Sequence, residues 1–318
     1  MANNSLNNSA LWFRQFGEPL QALTFETAEL NRRPMSKLRV RMSAAPINPS
    51  DLIPITGSYR HSVTPPRVAG YEGVGTVIEA DEEAAELIGR RVLPLRGPGT
   101  WQTYVDCDPS WAVPVPDDID DALAARSYIN PLSAYLMLKR WPVKGKRVLL
   151  TGAGSACAGL LAQWAYDAGA TELVGVYRSP ERVASLTRLG VKPISIRSVA
   201  EGHAVEEADV VFDAVGGVIG TSILAGMSPE GDFISYGLLS GEPLQATANG
   251  VQARRFHLRD CLETTTPAEW QQWFCELWPL LRRAELPDTT SFPLEAWREA
   301  LSLFSVPGRL SKPVLTMG

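Results

Sequence analysis

At 318 residues the chain exceeds the usual size of one domain, and a composition of 45% apolar and 20% charged residues excludes long disorder. A net charge of −5 gives no basic excess to neutralise phosphates, which argues against a nucleic-acid partner and against adhesion to anionic membranes. No apolar run approaches the roughly 20 residues of a membrane span, and the start lacks the pattern of a secretory or mitochondrial leader.

The four cysteines are far apart in the sequence and form no C-x-x-C pair. They are Cys107, Cys157, Cys261 and Cys275. The sequence therefore predicts neither a disulfide framework nor a zinc ribbon, and we expect a protein of the reducing cytoplasm.

The first third of the chain has the pattern of short strands separated by turns. In residues 37–47, Leu38, Val40 and Met42 alternate with polar residues, the period-2 pattern of a half-buried strand. Further strands are predicted over residues 72–80, 90–95 and 100–107. This part of the chain is predicted to be a β-rich, barrel-like domain.

A segment stiffened by proline follows the first of these strands. It reads AAPINPSDLIPITGSYRH over residues 44–61 and is rich in small polar groups. From the residues alone it is either an ordinary surface loop or a segment that holds a phenol and an amide over a reacting molecule.

The pattern changes near residue 120. Residues 120–141 have a helical composition, and Asn130-Pro131 stand where an N-cap and an N1 proline would begin a second helix. Apolar strands then alternate with amphipathic helices; the strands cover residues 147–154, 172–178, 209–217 and 231–239, and the helices cover 158–169 and 179–190. This alternation predicts a doubly wound parallel sheet. The tail predicts one amphipathic helix and a final strand that can pair back with the first domain.

The main chemical signal is a strand, a turn of small residues and a helix, RVLLTGAGSACAGLLAQWA over residues 147–165. The free N–H groups at the start of such a helix can hold a pyrophosphate. The match to G-x-G-x-x-G is imperfect, because Gly152 and Gly154 are followed by Cys157. The sequence favours a dinucleotide site, and the alternative is a tight turn with no ligand.

The next strand ends in Tyr177, Arg178 and Ser179, with Arg182 one helical turn on. An NAD site usually has an acidic residue at this strand end, whereas an NADP site tends to have cationic groups. Arg178 can pair with a 2′-phosphate, Ser179 can donate a hydrogen bond and Tyr177 can flank the adenine, so NADPH is favoured. The alternative is that Ser179-Pro180 only caps a helix and the arginines are solvated.

Two later turns place glycines at the carboxyl ends of predicted strands, where ligands lie in open α/β sheets. They are FDAVGG over residues 212–217 and SYGLLSG over residues 235–241. The residues predicted to contact the cofactor there are Ala214, Val215, Gly216, Tyr236, Gly237 and Leu238. Ordinary turn formation is the alternative for both.

The order of these segments resembles the medium-chain dehydrogenase/reductase superfamily over nearly the whole chain. Within it, INPSDLIPITGSY, GTWQTYV and INPLSAYLML are most similar to the zinc-independent 2-enoyl thioester reductases, and next to quinone oxidoreductases. The resemblance implies an α/β fold, with a GroES-like β-rich catalytic domain plus a doubly wound Rossmann domain. We place the catalytic domain at residues 1–122, with 279–318 returning to it, and the Rossmann domain at 123–278.

The resemblance also predicts that no metal is bound. Zinc-dependent members have a histidine in a G-H-E-x-x-G segment, and here Tyr71 takes its place before Glu72. With three histidines in the chain and no cysteine cluster, the usual zinc ligands cannot be assembled.

The implied activity is NADPH-dependent reduction of the C=C bond of an α,β-unsaturated thioester or related carbonyl. Tyr59 falls at the place of the family's catalytic tyrosine and would donate to the enolate oxygen or protonate the α-carbon. Asn48 and Asp51 would shape the floor of the site, and Trp101 would wall the cleft. For Tyr59 the alternative is a surface aromatic, and His61 is a second candidate proton donor.

The predicted cofactor-binding residues not yet named complete the set. They are Asn130 beside the site, Ser155, Ala156 and Ala158 in the dinucleotide turn, and Lys312 in the closing strand. The family usually shows A-x-x-G-x-G in this turn, whereas here alanines stand at both glycine positions. An alanine methyl group is tolerated if φ is negative there, but it narrows the approach to the pyrophosphate.

Two other functions stay open: a quinone or enone reductase with the same fold, and a non-catalytic NADPH-binding protein. The resemblance further implies a homodimer formed through the Rossmann domains, with residues 231–239 as a candidate edge strand. The expected partners are therefore a small-molecule or acyl-thioester substrate and a second copy of the chain.

Overall fold

The computed structural model describes residues 6–58, 61–202 and 208–318, and these form two compact units. The first unit contains the described residues of Met1–Ile129, Thr266–Arg282 and Asp288–Gly318, and the second contains those of Asn130–Thr265 and Arg283–Pro287.

The strands are β1 (Asn7–Phe13), β2 (Leu23–Glu29), β3 (Leu38–Pro46), β4 (Arg67–Val68), β5 (Val74–Glu79), β6 (Arg91–Pro94), β7 (Tyr104–Cys107), β8 (Ala112–Pro114), β9 (Arg147–Thr151), β10 (Glu172–Tyr177), β11 (Lys192–Ser195), β12 (Val210–Asp213), β13 (Asp232–Ser235), β14 (Ala253–Arg255), β15 (Thr289–Pro293) and β16 (Lys312–Thr316). The α-helices are α1 (Pro19–Ala22), α2 (Pro49–Leu52), α3 (Asp121–Ala124), α4 (Ile129–Arg140), α5 (Ala156–Asp167), α6 (Val183–Arg188), α7 (Ile196–Ala200), α8 (Gly217–Ala225), α9 (Leu258–Leu262), α10 (Pro267–Leu281) and α11 (Trp297–Ser305). Short 3₁₀ helices cover Glu82–Leu87, Pro180–Arg182 and Leu294–Ala296.

The first unit is built on two sheets. A seven-stranded sheet has the order β15-β16-β3-β5-β6-β8, with β7 also paired to β3, and a three-stranded sheet has the order β2-β1-β4. The core includes Phe13, Trp101, Trp297 and Leu315, each no more than 2% exposed. The β-rich domain predicted from the sequence is thus present.

Strand β3 shows the predicted alternation with one exception. Leu38, Val40 and Met42 are buried, but Arg39, expected to face solvent, is only 4% exposed. Its guanidinium donates to both carboxylate oxygens of Asp106 over 2.9 Å, which compensates for the loss of water.

The end of the chain returns to the first unit, as predicted. Strand β16 pairs antiparallel with β3, with Val314 opposite Pro46, and parallel with β15. Helix α11 is amphipathic and buries Trp297, Ala300 and Leu301. This pairing brings Lys312 to the segment that begins at Asn48.

The second unit contains a six-stranded parallel sheet of order β11-β10-β9-β12-β13-β14. Helices α5, α6 and α8 lie between successive strands in the chain, and the buried core includes Leu149, Val176, Val211 and Phe233. The doubly wound parallel sheet and the α/β fold class predicted from the sequence are confirmed.

Three local predictions differ from the structure. Helix α4 begins at Ile129, so Asn130 lies inside it rather than at its N-cap. Strand β13 is paired on both sides, and β14 is the edge strand on that side of the sheet. Helix α10, which the sequence analysis did not predict, belongs to the first unit, whereas residues up to 278 were placed in the Rossmann domain.

Aromatic packing explains why α10 belongs to the first unit. Trp270 is fully buried, its indole Nε1 donates to the Trp111 carbonyl over 3.0 Å, and its ring meets the edge of Tyr128 at a centroid distance of 5.6 Å. Burying a tryptophan with its N–H satisfied is a strong stabilising contact.

In the part of the chain that the structure describes, none of the helices combines the length and the apolarity that a membrane span requires.

Candidate functional site

The predicted dinucleotide turn joins β9 to α5 in the second unit. Gly152 has φ +58°, a conformation that favours glycine, and Ser155 is the N-cap of α5, with its hydroxyl accepting from Ala158 N over 3.2 Å. The start of α5 thus presents helix N–H groups and the positive end of the helix dipole, an arrangement that binds anions.

The two alanines that replace the usual glycines lie inside helix α5. Ala156 is its first residue, and Ala158 is fully buried. Helical φ is negative, so neither methyl group is strained. The fold therefore accommodates both substitutions.

The predicted 2′-phosphate residues lie at the end of β10. Arg178 is exposed and Tyr177 is half-buried. Ser179 precedes the 3₁₀ helix Pro180–Arg182, yet its side chain makes no capping hydrogen bond. The Ser179 hydroxyl is therefore not used for capping, and it can donate a hydrogen bond to an anion.

Arg182 lies against the dinucleotide turn. A Cβ atom placed on Gly154 would be 2.8 Å from Arg182 Cγ, so the arginine stem covers this glycine. Burial lowers the pKa of Arg182. A residue larger than glycine at position 154 would displace the arginine.

The turn after β12 is organised by a buried carboxylate. Asp213 is fully buried, and its Oδ1 accepts from Thr151 Oγ1 over 2.6 Å and from Val215 N over 3.1 Å, while Oδ2 accepts from Gly216 N over 3.0 Å. Thr151 Oγ1 in turn accepts from Ala214 N over 2.8 Å. The N–H groups of the predicted contact residues Ala214, Val215 and Gly216 are thus held within the protein.

The turn after β13 packs on the previous one. Leu239 N donates to the Ala214 carbonyl over 2.9 Å, and a Cβ atom on Gly237 would be 2.8 Å from the same oxygen. Only glycine permits this backbone approach. Leu238 is 52% exposed beside these turns and offers an apolar surface.

Tyr236 carries an unsatisfied polar atom at the dinucleotide turn. Its hydroxyl is buried and has no partner in hydrogen-bond geometry within the described residues, although the Ser155 and Cys157 side chains are close enough to influence its pKa. Burial raises the pKa of the phenol well above its usual value, so the group is a neutral donor. A ligand that accepts a hydrogen bond at this turn would satisfy it. The residues present therefore fit a dinucleotide phosphate group.

Asn130 lies near this turn as well. Its carbonyl accepts a long contact from Cys157 Sγ, 3.7 Å away, and the residue is half-buried. The predicted cofactor residues of the second unit are thus brought together around α5, β10, β12 and β13.

In the first unit, the Asn-Pro-Ser-Asp segment forms the one-turn helix α2. Asp51 Oδ2 accepts from Asn48 N over 2.7 Å, and Oδ1 accepts from Tyr71 N over 2.8 Å. Asp51 also lines a small pocket with Arg67 and Tyr71. The carboxylate therefore fixes both its own turn and the segment before β5.

Four buried polar side chains meet here, and we call them the Asn48 cluster: Asn48, Asp51, Glu72 and Lys312. Their exposed fractions are 1%, 2%, 1% and 8%. Asn48 Nδ2 donates to Glu72 Oε1 over 2.7 Å and to Asp51 Oδ2 over 3.1 Å, while Lys312 Nζ donates to Asn48 Oδ1. Glu72 Oε2 accepts from the backbone N–H groups of Tyr128 and Ile129 over 3.2 and 2.7 Å.

Burial changes the ionisation of this cluster. Burial, reinforced by the Glu72 carboxylate, raises the pKa of Asp51 to about 7. Burial lowers the pKa of Lys312, while Glu72 and Asp51 act in the opposite direction. The cluster therefore has a group that titrates near neutral pH.

The structure places three predicted site residues in this cluster. Asn48 and Asp51 were predicted to form the floor of the site; the side-chain amide of Asn48 bonds to its neighbours and is nearly inaccessible. Lys312 was predicted to bind the cofactor; its ammonium donates to Asn48 in the first unit, and all three roles stay predictions. Glu72 was not predicted; the signal was an acidic residue two positions before the apolar strand β5.

Trp101 also departs from its predicted role. It is fully buried in the core of the first unit, and its Nε1 donates to the Pro46 carbonyl over 3.2 Å. The indole has no exposed face for a substrate, so a role as cleft wall is not supported. Tyr59 lies outside the described residues, and His61 is exposed.

Comparison with known proteins finds relatives of nearly full length. The profile of the alcohol dehydrogenase GroES-like domain matches residues 35–117. The mitochondrial enoyl-[acyl-carrier-protein] reductase of Mus musculus is 29% identical over 97% of this chain and 88% of its own. A crystal structure of a "putative NADPH:quinone reductase" from Bacillus thuringiensis is 35% identical, covers 98% of this chain and 99% of its own, and has a TM-score of 0.90. The chain belongs to the medium-chain dehydrogenase/reductase superfamily.

A further structural relative of this medium-chain dehydrogenase/reductase is Etr1p, solved with NADP and crotonyl-CoA. It is 20% identical, covers 98% of this chain and 100% of its own, and has a TM-score of 0.80, a similarity of fold. The family and the fold predicted from the sequence are both confirmed.

The structure can also be searched for side chains that could bind a metal ion in this medium-chain dehydrogenase/reductase. Within residues 6–58, 61–202 and 208–318, no three His, Cys, Asp or Glu side chains are grouped so that they can hold a metal ion. Tyr71, which stands at the zinc-histidine position, uses its backbone N–H to fix Asp51.

Proposed function

We propose that this medium-chain dehydrogenase/reductase uses NADPH to reduce the C=C bond of an α,β-unsaturated thioester, an enoyl-CoA or enoyl-ACP, or of a related carbonyl compound. Relatives named enoyl-[acyl-carrier-protein] reductase support the reaction class, and Etr1p has been solved with crotonyl-CoA. The observation that carries the proposal is the unsatisfied Tyr236 hydroxyl beside the N-terminus of α5, which fits a dinucleotide phosphate.

The second unit supplies the cofactor-binding residues. Ser155 and the first N–H groups of α5 would hold the pyrophosphate, and Tyr236 would donate to it. Arg178 and Ser179 would bind the 2′-phosphate through charge-assisted and neutral hydrogen bonds. Arg182 would cover the turn from the side of Gly154. When bound, the nicotinamide supplies the hydride that the β-carbon of the substrate receives.

The first unit supplies the acid. A developing enolate needs a hydrogen-bond donor at its oxygen and a proton at its α-carbon. Tyr59 has both abilities, because a phenol of ordinary pKa about 10 is protonated at neutral pH. Its assignment rests on its position in GSY, after the Asn-Pro-Ser-Asp turn. His61, two residues on, is the alternative donor.

Quinone or enone reduction is the second candidate, favoured by the name of the Bacillus thuringiensis relative at 35% identity. Initial rates of NADPH oxidation with crotonyl-CoA and with a simple quinone separate the two. A kcat/KM higher for crotonyl-CoA supports the thioester reaction, and the reverse order supports the quinone reaction. NADPH binding without turnover of either acceptor would make the chain a non-catalytic binding protein.

A homodimer and a cytoplasmic location complete the proposal. Strand β14 is an edge strand whose three residues are all exposed, so it has backbone groups available to a second copy. Analytical ultracentrifugation tests the dimer, and a β14 proline substitution should dissociate it. The name of the Mus musculus relative includes the word mitochondrial. Microscopy of the tagged full-length protein therefore decides between a cytoplasmic and a mitochondrial location.

A further inference from the structure

Two strand ends of the second unit lie side by side at the predicted 2′-phosphate site. Strands β10 and β11 are parallel neighbours, and Tyr177, the last residue of β10, is opposite Ser195, the last residue of β11. The chain therefore leaves both strands at the same edge of the sheet, where neighbouring strands are about 4.8 Å apart. Arg178 is the first residue after β10, and Arg197 is the second residue after β11. Two arginines that are distant in the sequence thus follow adjacent strand ends.

The backbone of Arg197 is held in place although its side chain is exposed. Its N–H donates to Ser195 Oγ over 3.2 Å, and Ser195 is the N-cap of the short helix α7. The guanidinium can therefore meet a ligand without any ordering of the chain, which lowers the entropic cost of binding.

The guanidinium groups of Arg178 and Arg197 are available to a ligand. Within residues 6–58, 61–202 and 208–318, neither group pairs with a carboxylate or donates a hydrogen bond. Several other arginines of the second unit do pair with carboxylates: Arg147 with Glu172, Arg188 with Glu285, Arg254 with Asp232 and Arg255 with Asp260. The edge formed by β10 and β11 therefore holds two cations without an anion of the protein.

The charge of the cofactor matches two cations better than one. A phosphate monoester carries a charge of about −1.5 to −2 at neutral pH, so a single arginine compensates only part of it. Arg182 is near as well, but its stem lies against Gly154 at the dinucleotide turn. Arg197 is the cation that can approach a 2′-phosphate from the β11 side.

We propose that Arg197 is a further specificity-determining residue for NADPH: its guanidinium binds the 2′-phosphate from the β11 side while Arg178 binds it from the β10 side. The inference rests on the proposed function and adds a strand end that the sequence analysis did not assign to the cofactor. NADH has a hydroxyl group in place of this phosphate, so the two charge-assisted contacts form only with NADPH.

The test measures the Kd of NADPH, of NADH and of 2′,5′-ADP, a nucleotide that contains the 2′-phosphate but no nicotinamide. Arg197→Ala should raise the Kd of NADPH and of 2′,5′-ADP about tenfold or more, because a charge-assisted hydrogen bond is lost, and should leave the Kd of NADH unchanged. Arg188→Ala is the matched control, because Arg188 lies on α6, is exposed and pairs with Glu285. It should match the wild type for all three ligands.

A charge reversal gives a second measurement. Arg197→Glu should raise the Kd of 2′,5′-ADP further than Arg197→Ala does, because a carboxylate repels the phosphate. Its melting temperature should stay near that of the wild type, since the side chain is exposed. An Arg197→Glu variant that binds 2′,5′-ADP as tightly as the wild type would overturn the inference.

The remaining outcomes separate this inference from the proposed function. If Arg178→Ala lost the preference for NADPH and Arg197→Ala kept it, the inference alone would be wrong. Equal losses of NADPH and NADH affinity in Arg197→Ala would also overturn it, because the effect would then not involve the 2′-phosphate. A wild type that binds NADPH no more tightly than NADH would overturn the use of NADPH in the proposed function and this inference with it.

Discussion

Thr151 donates its hydroxyl hydrogen to Asp213 Oδ1 over 2.6 Å, joining the carboxyl ends of the adjacent parallel strands β9 and β12. The same hydroxyl accepts from Ala214 N and Val215 N. One side chain therefore links the strand that leads into the dinucleotide turn with the turn after β12.

Replacing Thr151 by valine should destabilise the protein by about 1–3 kcal/mol, because Asp213 and two backbone N–H groups lose a buried partner. Urea unfolding measures this free energy. Thr187→Val is the matched control, because Thr187 is exposed on α6. Loss of its hydroxyl should change the free energy of unfolding by less than about 0.5 kcal/mol. Equal effects of the two substitutions would show that the Thr151 contacts add nothing.

Cofactor choice is predicted to depend on Arg178. A charge-assisted hydrogen bond is worth about 1.5–3 kcal/mol, so Arg178→Ala should raise the NADPH Kd roughly ten- to a hundredfold. NADH lacks the 2′-phosphate, so its Kd should not change. Fluorescence titration gives both constants, with Arg188→Ala, an exposed arginine paired with Glu285, as the control. If NADPH and NADH affinities fell together, the 2′-phosphate assignment would be wrong.

The contribution of Asp51 to the free energy of unfolding should decrease as pH rises. Its pKa is raised to about 7 in the folded protein, against about 3.9 when unfolded, so the folded state holds this proton more tightly. The contribution is fully present below about pH 4 and is lost as pH rises through about 7. From about pH 5 to about pH 8, the unfolding free energy of the wild type should fall by about 2–3 kcal/mol relative to Asp51→Asn.

Urea titrations at both pH values make this measurement. The exposed Asp167→Asn is the control for the removal of a carboxylate at the surface. A wild type that gained stability over Asp51→Asn with rising pH would mean that the carboxylate form is favoured by the fold.

Tyr59→Phe should remove the proton donor and keep the aromatic ring. General acid catalysis contributes roughly a hundred- to ten-thousandfold, so kcat with crotonyl-CoA should fall by at least about a hundredfold. The NADPH Kd should be unchanged. Tyr166→Phe, on the exposed face of α5, serves as the control. Full activity of Tyr59→Phe together with an inactive His61→Asn would move the role to His61.

The dinucleotide turn was predictable from sequence because its signals are local. The apolar strand, the left-handed Gly152 and the capping Ser155 lie within a few residues of one another. Helix α10 also had local signals that the sequence analysis missed: Thr266 and Glu269 form a capping box, and Trp270, Phe274 and Leu277 lie on one helical face.

The Asn48 cluster could not be predicted in this way. Lys312 reaches Asn48 only because β16 pairs with β3, a long-range contact that no local pattern encodes. Trp101 shows the same limit, because nothing near it in sequence indicates that its indole N–H would find the Pro46 carbonyl in the core. Local chemistry suggested a wall, and tertiary packing buried the side chain.

The most direct test of the proposed reduction is the product formed from crotonyl-CoA and NADPH in D₂O, identified by mass spectrometry. The proposed chemistry predicts butyryl-CoA in amounts equal to the NADPH consumed, with one solvent-derived deuterium at the α-carbon. NADPH consumption without butyryl-CoA, or unchanged crotonyl-CoA beside a readily reduced quinone, would contradict it.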